Sequence, residues 1–450
     1  MKCSALLAGV FALHVIAFPF ALEQFASEQL ASLDKRQTVP SNTPGSAAAR
    51  AFSRSRKNCG VRGCTTFSAT EQYVSTTGTY AYASPRADQI RGPCPGLNAA
   101  ANHGYLPRAG YMTIIETIDG LKAAYGMGVD LAGFLAAYAV IVDGDPILGT
   151  WSIGGPQPSN LLAKSLLGKP QGISYSHNNY EGDASIGRAD AYLNGGDAHS
   201  LIISRFEEAY RATDFAVNGG QRDRYTLDAF AQDYGKKLNQ SIATNPLFFA
   251  APFSGLVAPA AYNFVINFMS NHSASNPTGY LDGNQFKQFF GVAGSPGNFR
   301  WLKGQERIPN NWYRRPSDPV NAYNAVDVFL DLGAQFLAYP YQVKFGGNTG
   351  RTNSFTGVDL SALTRGAFNG ANLLQGNNLQ CFFAQAAQSA IPDLAGATLA
   401  AVNGIVGQYF GAFTSGLNCP TVGKYDQTLF NRYPGRYYSP QPRQGQPNNW

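Results

Sequence analysis

A cysteine held between two prolines, directly before a helix start, is the feature of this chain that most restricts its folding. In the order Pro93-Cys94-Pro95, each proline fixes its own φ and moves the preceding residue out of the helical region, which predicts a stiff, extended loop. Residues 97–102 predict a helix whose first amides stabilise an anion placed just before it. A thiolate here suits two roles, nucleophile or metal ligand. The commoner fate of an unpaired cysteine is that of a small buried hydrophobic residue.

The chain is long and only mildly charged. Its 450 residues are 44% hydrophobic, which allows a large core in one large domain or in two or three smaller ones. The formal net charge is +6, only 14% of the residues are charged, and there is no dense basic run, so nucleic acid is not an expected partner. The neutral, polar surface fits an extracellular glycoprotein, for which Asn239 and Asn271 offer sequons, although such triplets also occur by chance.

The N-terminus predicts secretion. A basic residue precedes an apolar run over residues 5–20, with small residues at Ala17 and Ala21 where a signal peptidase could cut. Residues 1–21 are therefore assigned to a signal peptide. Residues 22–36 end in a dibasic pair and form a candidate propeptide, although a solvated basic pair explains them equally well. The apolar run is too short and too interrupted for a membrane anchor, so no membrane association is expected after cleavage.

The rest of the chain divides into three predicted segments. Residues 37–57 are rich in Ser, Ala, Pro and Arg without an apolar period, which predicts a flexible arm. Residues 58–425 form the main domain, and residues 426–450 form a Pro/Gln/Asn-rich tail. Apolar residues at helical spacing, separated by Gly- and Pro-rich connections, predict helices at 97–102, 111–124, 131–142, 161–167, 183–193, 197–212, 225–237, 258–269, 279–290, 322–337, 361–368, 379–390 and 393–413. The domain is therefore expected to be mainly α-helical with long loops.

The number of cysteines is odd once the leader is removed. Cys59, Cys64, Cys94, Cys381 and Cys419 remain. In an oxidising compartment their spacing predicts the bridges Cys59–Cys64 and Cys381–Cys419, which leaves Cys94 alone. An unpaired cysteine that survives secretion needs an occupant, and a bond to iron provides one.

The cysteine loop and the residues after it resemble one known motif. Pro93-Cys94-Pro95 is followed by Leu97-Asn98 and by Ala101-Asn102-His103-Gly104-Tyr105-Leu106-Pro107-Arg108. This combination resembles the proximal motif of the fungal heme-thiolate peroxidases, the family of chloroperoxidase and the unspecific peroxygenases, with a good match over residues 82–271. The resemblance is to the longer members, which share a C-terminal bridge like Cys381–Cys419. It implies a single compact domain of the chloroperoxidase type that binds heme b, with Cys94 as axial ligand of the iron.

A second motif offers hard oxygen ligands. Asp183 is fully explained as the N-cap of its predicted helix. Carboxylate, carbonyl and hydroxyl oxygens of Glu181, Gly182 and Ser185 at the same helix start would suit Mg²⁺. In the peroxygenases a Glu-Gly-Asp motif followed by Ser and Arg binds magnesium beside a heme propionate. The resemblance therefore implies Glu181, the Gly182 carbonyl and Ser185 as ligands, with Arg188 in the arginine position, and the ion would offset the propionate charge.

The resemblance fails on the opposite side of the expected heme. The longer peroxygenases use an Arg and a Glu, seven residues apart, as the acid–base pair for peroxide. Phe253 and Ala260 stand at those positions, and neither side chain can transfer a proton. Nothing in the spacing brings His272, Asp282 or Glu306 to the pocket instead, so the sequence assigns no catalytic acid–base residue.

Three functions are consistent with these features. The first is a secreted heme-thiolate peroxidase or peroxygenase, as in fungal secondary metabolism, which uses hydrogen peroxide to oxidise or oxygenate a small organic substrate. The electron-rich thiolate would favour cleavage of the O–O bond. The second is a redox-neutral heme enzyme of the isomerase kind, because acid–base help worth about 10²–10⁴ in rate is missing. The third is a non-catalytic secreted heme-binding protein. The sequence lacks the Gly-x-Ser-x-Gly, phosphate-loop, His-Glu-x-x-His and Cys-x-x-Cys motifs of other classes.

Overall fold

The computed structural model describes residues 43–159, 171–212, 225–391 and 396–438. The predicted signal peptide, the candidate propeptide and the helix predicted at 161–167 lie outside these residues. The helices, in chain order, are α1 (Ala47–Ser55), α2 (Ala69–Gln72), α3 (Pro95–His103), α4 (Ile114–Tyr125), α5 (Val129–Val142), α6 (Ile203–Tyr210), α7 (Leu227–Thr244), α8 (Ser254–Met269), α9 (Gly283–Phe289), α10 (Ala325–Ala338), α11 (Leu360–Leu363), α12 (Asn378–Ser389), α13 (Gly396–Ile405) and α14 (Gly411–Thr414).

Strands in the described residues are short, and all of their pairings are antiparallel. They are β1 (Tyr111–Thr113), β2 (Thr150–Ser152), β3 (Phe249–Ala250), β4 (Asn271–Ser273), β5 (Asn276–Tyr280), β6 (Val292–Ala293), β7 (Arg300–Trp301), β8 (Gly346–Gly347) and β9 (Thr356–Gly357). They form the pairs β1–β2, β4–β5 and β6–β7 and the three-stranded order β3–β8–β9. The predicted mainly α-helical domain is confirmed.

The core is organised around α5, which is apolar on every face. A helix with this pattern is stable only when protein surrounds it. It packs on α4 and on the C-terminal helices, where the Phe134 ring lies 3.9 Å from that of Phe413 and 4.6 Å from that of Phe410. One continuous core joins these helices to α8 and α10. No helix among the described residues has the length and hydrophobicity needed to cross a bilayer.

The predicted flexible arm is wrong for residues 47–55, which form α1 and pack on α10. Ser53 Oγ donates to Asp228 Oδ1 at 2.5 Å, and Arg56 Nη1 lies 3.4 Å from Asp331 Oδ1 in a buried ion pair. A short helix gains most of its stability from such tertiary contacts. A pattern search for apolar spacing does not detect them.

The described part of the predicted Pro/Gln/Asn-rich tail, residues 426–438, packs on the domain. Two turns of 3₁₀ helix, Gln427–Phe430 and Pro434–Tyr437, fold back onto the domain. The buried rings of Phe430 and Tyr433 lie 5.7 Å and 5.6 Å from that of Phe249. These aromatic contacts hold the described part of the tail against the domain.

The helix predicted from Asp183 does not form. Ala184 and Gly187 have φ values of +63° and +67°, a left-handed conformation that interrupts a right-handed helix. Asp183 is therefore not an N-cap, and its Oδ2 accepts a hydrogen bond from Asn245 Nδ2 at 2.9 Å. The next predicted helix, 197–212, shortens to α6.

Several other predictions hold with shifted ends. The helix predicted at 111–124 begins only after β1, and the one at 258–269 begins earlier, as α8, and contains Pro259. Asp282 caps α9 as expected, because its Oδ1 accepts from the Gln285 N–H at 2.8 Å. The helix predicted at 361–368 shortens to α11, and a π-helical turn interrupts the one at 393–413.

Both predicted disulfides are present and Cys94 is free. His272 lies beside the first bridge, with one of its ring nitrogens and the sulfurs of Cys59 and Cys64 all within 4.8 Å of one another. Two of these three potential ligands are joined in the disulfide. The oxidised protein therefore has no thiolate to offer a metal at this place.

Candidate functional site

Cys94 occupies the position directly before the first turn of α3. Its backbone is extended, with φ −88° and ψ 110°, and Pro95 is the first helical residue. Burial and the charge of Glu306 raise the pKa of the Cys94 thiol, while the N–H groups of Leu97 and Gly96 and the charge of Arg188 lower it. The amides at the helix start therefore point at the sulfur, as the sequence predicts. Because burial dominates, the thiolate form needs a further cation such as a metal.

The sulfur faces an interior space. Cys94 keeps some accessible surface. It is nevertheless buried deeply enough for desolvation to disfavour the charged thiolate. Tyr180 has the same combination of accessible surface and desolvation. On α8, which packs on α3, Val257, Ala261 and Phe264 also remain half-buried, and their spacing places them on one helix face. Apolar side chains inside a core that protein atoms do not fully cover can bind a flat, apolar cofactor.

Arg188 connects the second motif to the cysteine loop. Its guanidinium donates from Nη2 and Nε to the Pro93 carbonyl at 2.9 Å and 3.2 Å. The side chain is almost completely buried, and burial lowers its pKa to about 10. Two motifs that lie far apart in the sequence therefore meet at one place.

Glu306 is a site residue that sequence reasoning did not place. Its carboxylate Oε1 accepts from Asn98 Nδ2 at 3.2 Å. Asn98 also bonds both the N–H and the carbonyl of Gly92, each at 2.9 Å, and Gly92 lies so close to the Ile153 carbonyl that no side chain fits there. Glu306 thus lies on the cysteine side of α3. No local pattern signals this contact, because the two partners are 208 residues apart.

The oxygens of the expected magnesium ligands lie partly together. Ser185 Oγ donates to the Gly182 carbonyl at 2.8 Å, close to the roughly 3 Å that separates neighbouring ligands around an octahedral Mg²⁺. Glu181 Oε2 lies 2.8 Å from His177 Nδ1. Burial lowers the pKa of His177, but the carboxylates of Glu181 and Asp183 outweigh it and raise the pKa to about 9.

Further polar groups around this motif are buried without hydrogen-bond partners in the described residues. They include Glu181 Oε1, Tyr138 Oη and Ser254 Oγ. Ser254 lies against Gly182, and burial together with the nearby Glu181 charge raises the pKa of Asp143 well above its usual range. Buried polar atoms without partners are costly, so several at one place indicate a polar ligand. A heme carboxylate with a cation fits this region.

The opposite side of the interior space is apolar. Ala260 lines a small cavity with Tyr180, Val257, Phe264 and Phe383, and Tyr180 carries the only side-chain hydroxyl of that lining. That hydroxyl donates to the Leu135 carbonyl at 3.3 Å.

Phe253, seven residues before Ala260 and directly before α8, is buried, with its ring centroid 3.8 Å from that of Tyr138 and 4.6 Å from that of Phe383. His272, Asp282 and Glu306 do not line the cavity. No acid–base pair of the expected kind is among the residues that line this cavity.

The family of the chain is shown by comparison with known proteins. The family model described as Peroxidase, family 2, matches residues 80–317, which are more than half of the chain and include both motifs. The chain belongs to the family 2 peroxidases.

The relatives of this family 2 peroxidase carry matching names. It is 37% identical over 442 residues to the dothistromin biosynthesis peroxidase of Dothistroma septosporum, covering 96% of this chain and 97% of the relative. It is 39% identical over 337 residues to an aromatic peroxidase of Fusarium equiseti, with 73% and 74% covered. It is 30% identical over 277 residues to an aromatic peroxygenase of Cyclocybe aegerita, with 60% and 64% covered.

The predicted family is therefore confirmed, and this family 2 peroxidase is an oxidoreductase of the peroxidase or peroxygenase type. Membership of the family implies heme as cofactor, and hydrogen peroxide and an organic molecule as substrates.

Proposed function

We propose that this family 2 peroxidase is a secreted heme-thiolate enzyme that uses hydrogen peroxide to oxidise or oxygenate a small organic substrate in fungal secondary metabolism. The observation that carries the proposal is the placement of Cys94, a free cysteine with two helix-start amides at its sulfur and an unfilled apolar face of α8 nearby. The name of the dothistromin biosynthesis peroxidase, a relative over nearly the whole chain, supports the metabolic role.

Different residues of this chain would bind the cofactor and the substrate. Cys94 would hold heme b through its thiolate, and the heme would supply the peroxide chemistry. The N–H groups of Gly96 and Leu97 stabilise charge on the sulfur, and Arg188 holds the Pro93 carbonyl of the same loop. The apolar cavity beside Ala260 excludes water and receives the organic substrate.

We also propose Mg²⁺ as a second cofactor, bound by Glu181, the Gly182 carbonyl and Ser185. The 2.8 Å contact between Ser185 Oγ and the Gly182 oxygen and the unpartnered Glu181 Oε1 support this ligand set. The ion would offset the negative charge of a heme carboxylate buried beside it. Replacement of Glu181 by Ala is expected to weaken heme retention, and unchanged heme occupancy would count against the site.

The apolar cavity favours a second candidate function. Without an acid–base pair, peroxide turnover is expected to be slower by a factor of about 10²–10⁴ than with one. A redox-neutral heme reaction would not need that pair. Conversion of a substrate with peroxide excluded would support this alternative, whereas heme binding without any turnover would support a non-catalytic protein.

An absorption spectrum tests the main proposal. The heme-loaded protein, reduced and exposed to carbon monoxide, is expected to show the strongly red-shifted Soret band of thiolate ligation and to oxidise a phenolic dye with peroxide. Cys94→Ala should abolish both the band and the turnover. If the heme-loaded wild-type protein lacks that band, Cys94 is not a ligand of the iron.

Secretion is proposed from the leader pattern and from the two disulfides, which persist in oxidising compartments. Expression of the full chain in a filamentous fungus should release the protein into the medium. The N-terminal residue of the released protein, identified by mass spectrometry, should be the one that directly follows Ala21 or Arg36. Retention of an intact leader inside the cell would contradict secretion.

A further inference from the structure

A buried carboxylate lies behind the cysteine loop, and the proposed function assigns it no role. Glu306 has no exposed surface. Its side chain accepts from Asn98 Nδ2, and its backbone carbonyl accepts from Asn102 Nδ2 at 2.8 Å. Asn98 and Asn102 are one turn apart on α3, so they present one face to the segment that carries Glu306.

The same two asparagines hold the start of the cysteine loop. Asn98 bonds both backbone groups of Gly92, two residues before the sulfur. Asn102 Oδ1 accepts from Arg91 Nε at 2.8 Å. Glu306 is therefore connected to the start of the Cys94 loop through the side chains of Asn98 and Asn102.

Two buried cations accompany the carboxylate. Arg91 and Arg188 are both almost completely buried. Arg91 Nη2, Arg188 Nη1 and Glu306 Oε2 have no hydrogen-bond partner in the described residues. Burial raises the pKa of Glu306 to about 7, and the charges of both arginines act in the opposite direction. Arg91 acts on Glu306, and Arg188 acts on both Glu306 and Cys94, so a thiolate at Cys94 would give these two cations two anions. Buried charges are tolerated only when they are balanced in this way.

We propose that Glu306 is a positioning residue for the proximal thiolate, which shares the positive charge of Arg188 with Cys94 and thereby keeps the sulfur a strong electron donor. The inference rests on the proposed ligation of heme iron by Cys94. When the Glu306 charge is removed, the Arg188 guanidinium acts on the sulfur without this competing carboxylate. The thiolate then donates less, and the iron becomes easier to reduce.

The test is the reduction potential of the iron in the heme-loaded full-length protein at pH 8, above the raised pKa of Glu306. Glu306→Gln keeps an oxygen for Asn98 and nearly the same volume but removes the charge. We expect its midpoint potential to shift to more positive values while the thiolate Soret band is retained. Glu208→Gln, which removes a carboxylate paired with Lys237 elsewhere, is the matched control and should keep the wild-type potential.

The outcomes separate this inference from the proposed function. A wild-type protein without the thiolate band refutes both. A wild-type protein with the band and an unshifted potential in Glu306→Gln refutes the inference alone, because a merely structural role would change stability and leave the potential in place. If Glu306→Gln does not retain heme, Glu306→Asp is measured instead. It keeps the charge and should keep the wild-type potential, and a positive shift there would overturn the inference.

Discussion

At Cys94, opposing effects act on one sulfur atom. Burial raises the pKa of the thiol, and the Leu97 and Gly96 amides and Arg188 lower it without cancelling the effect of burial. A cysteine that acts alone as a nucleophile needs a lowered pKa. A metal ligand does not, because the metal itself displaces the proton. The balance at Cys94 therefore favours the role of ligand over that of nucleophile.

Ala260 allows a direct test of the missing acid–base function. Ala260→Glu places a carboxyl group in the apolar cavity, where burial raises its pKa toward neutrality. Such a group can accept and return a proton, so the rate of peroxide-dependent dye oxidation should rise by a factor on the order of 10². Steady-state kinetics measure this change. Ala260→Gln adds similar volume without an acid and is the control, and equal rates in both variants would show that proton transfer is not limiting.

At the scale of secondary-structure elements, the sequence alone predicts helices that carry a recognisable apolar stripe, but it does not predict α1. The Ser46 hydroxyl caps α1 by accepting from the Ala49 N–H at 3.1 Å. The helix stays in place through polar contacts to α7 and α10, not through an apolar period. Its order therefore depends on partners that the local sequence does not reveal.

The contact between Arg56 and Asp331 predicts how strongly α1 is anchored. Both side chains are buried, and Arg56 Nη1 also donates to the Asp331 carbonyl at 2.9 Å. Arg56→Ala leaves a buried carboxylate without its cation, so the free energy of unfolding should fall by about 3–5 kcal/mol. Chemical denaturation measures this loss. Arg54→Ala, at an exposed position of the same helix, should change it by less than about 0.5 kcal/mol, and similar losses in both variants would refute the anchoring role.

At the scale of the whole molecule, the buried His272 makes stability depend on pH. Burial lowers its pKa to about 4, whereas an unfolded histidine has a pKa of about 6.5. Protonation thus favours the unfolded chain. The free energy of unfolding should be unaffected by this group above pH 6.5 and should fall by about 3 kcal/mol as the pH drops from about 6.5 to about 4.

The variant His272→Gln isolates this contribution. Its free energy of unfolding, measured by denaturant titration from pH 8 to pH 4, should decline less steeply below pH 6.5 than that of the wild type. Above pH 6.5 the two pH profiles should run parallel. The same slope in both proteins below pH 6.5 would show that His272 is not the group responsible.

The sequence by itself determined the features that depend on neighbouring residues. Two proline rings restrict the backbone around Cys94, the helix start follows directly, and Asp282 caps α9 through a residue three positions away. The two disulfides also follow from the cysteine count and spacing. Each of these depends on covalent geometry or on contacts within a few residues, which a pattern in the chain can report.

Only the tertiary structure decided what surrounds the cysteine. Glu306 reaches Asn98 across 208 residues, and Arg188 reaches Pro93 across 95. The helix expected at Asp183 does not form, and the Asp183 carboxylate accepts from Asn245, 62 residues away, instead of capping it. These outcomes depend on which distant segments share a buried site, where an unpaired charge or hydrogen-bonding group is costly. Local propensity contains no information about such partners.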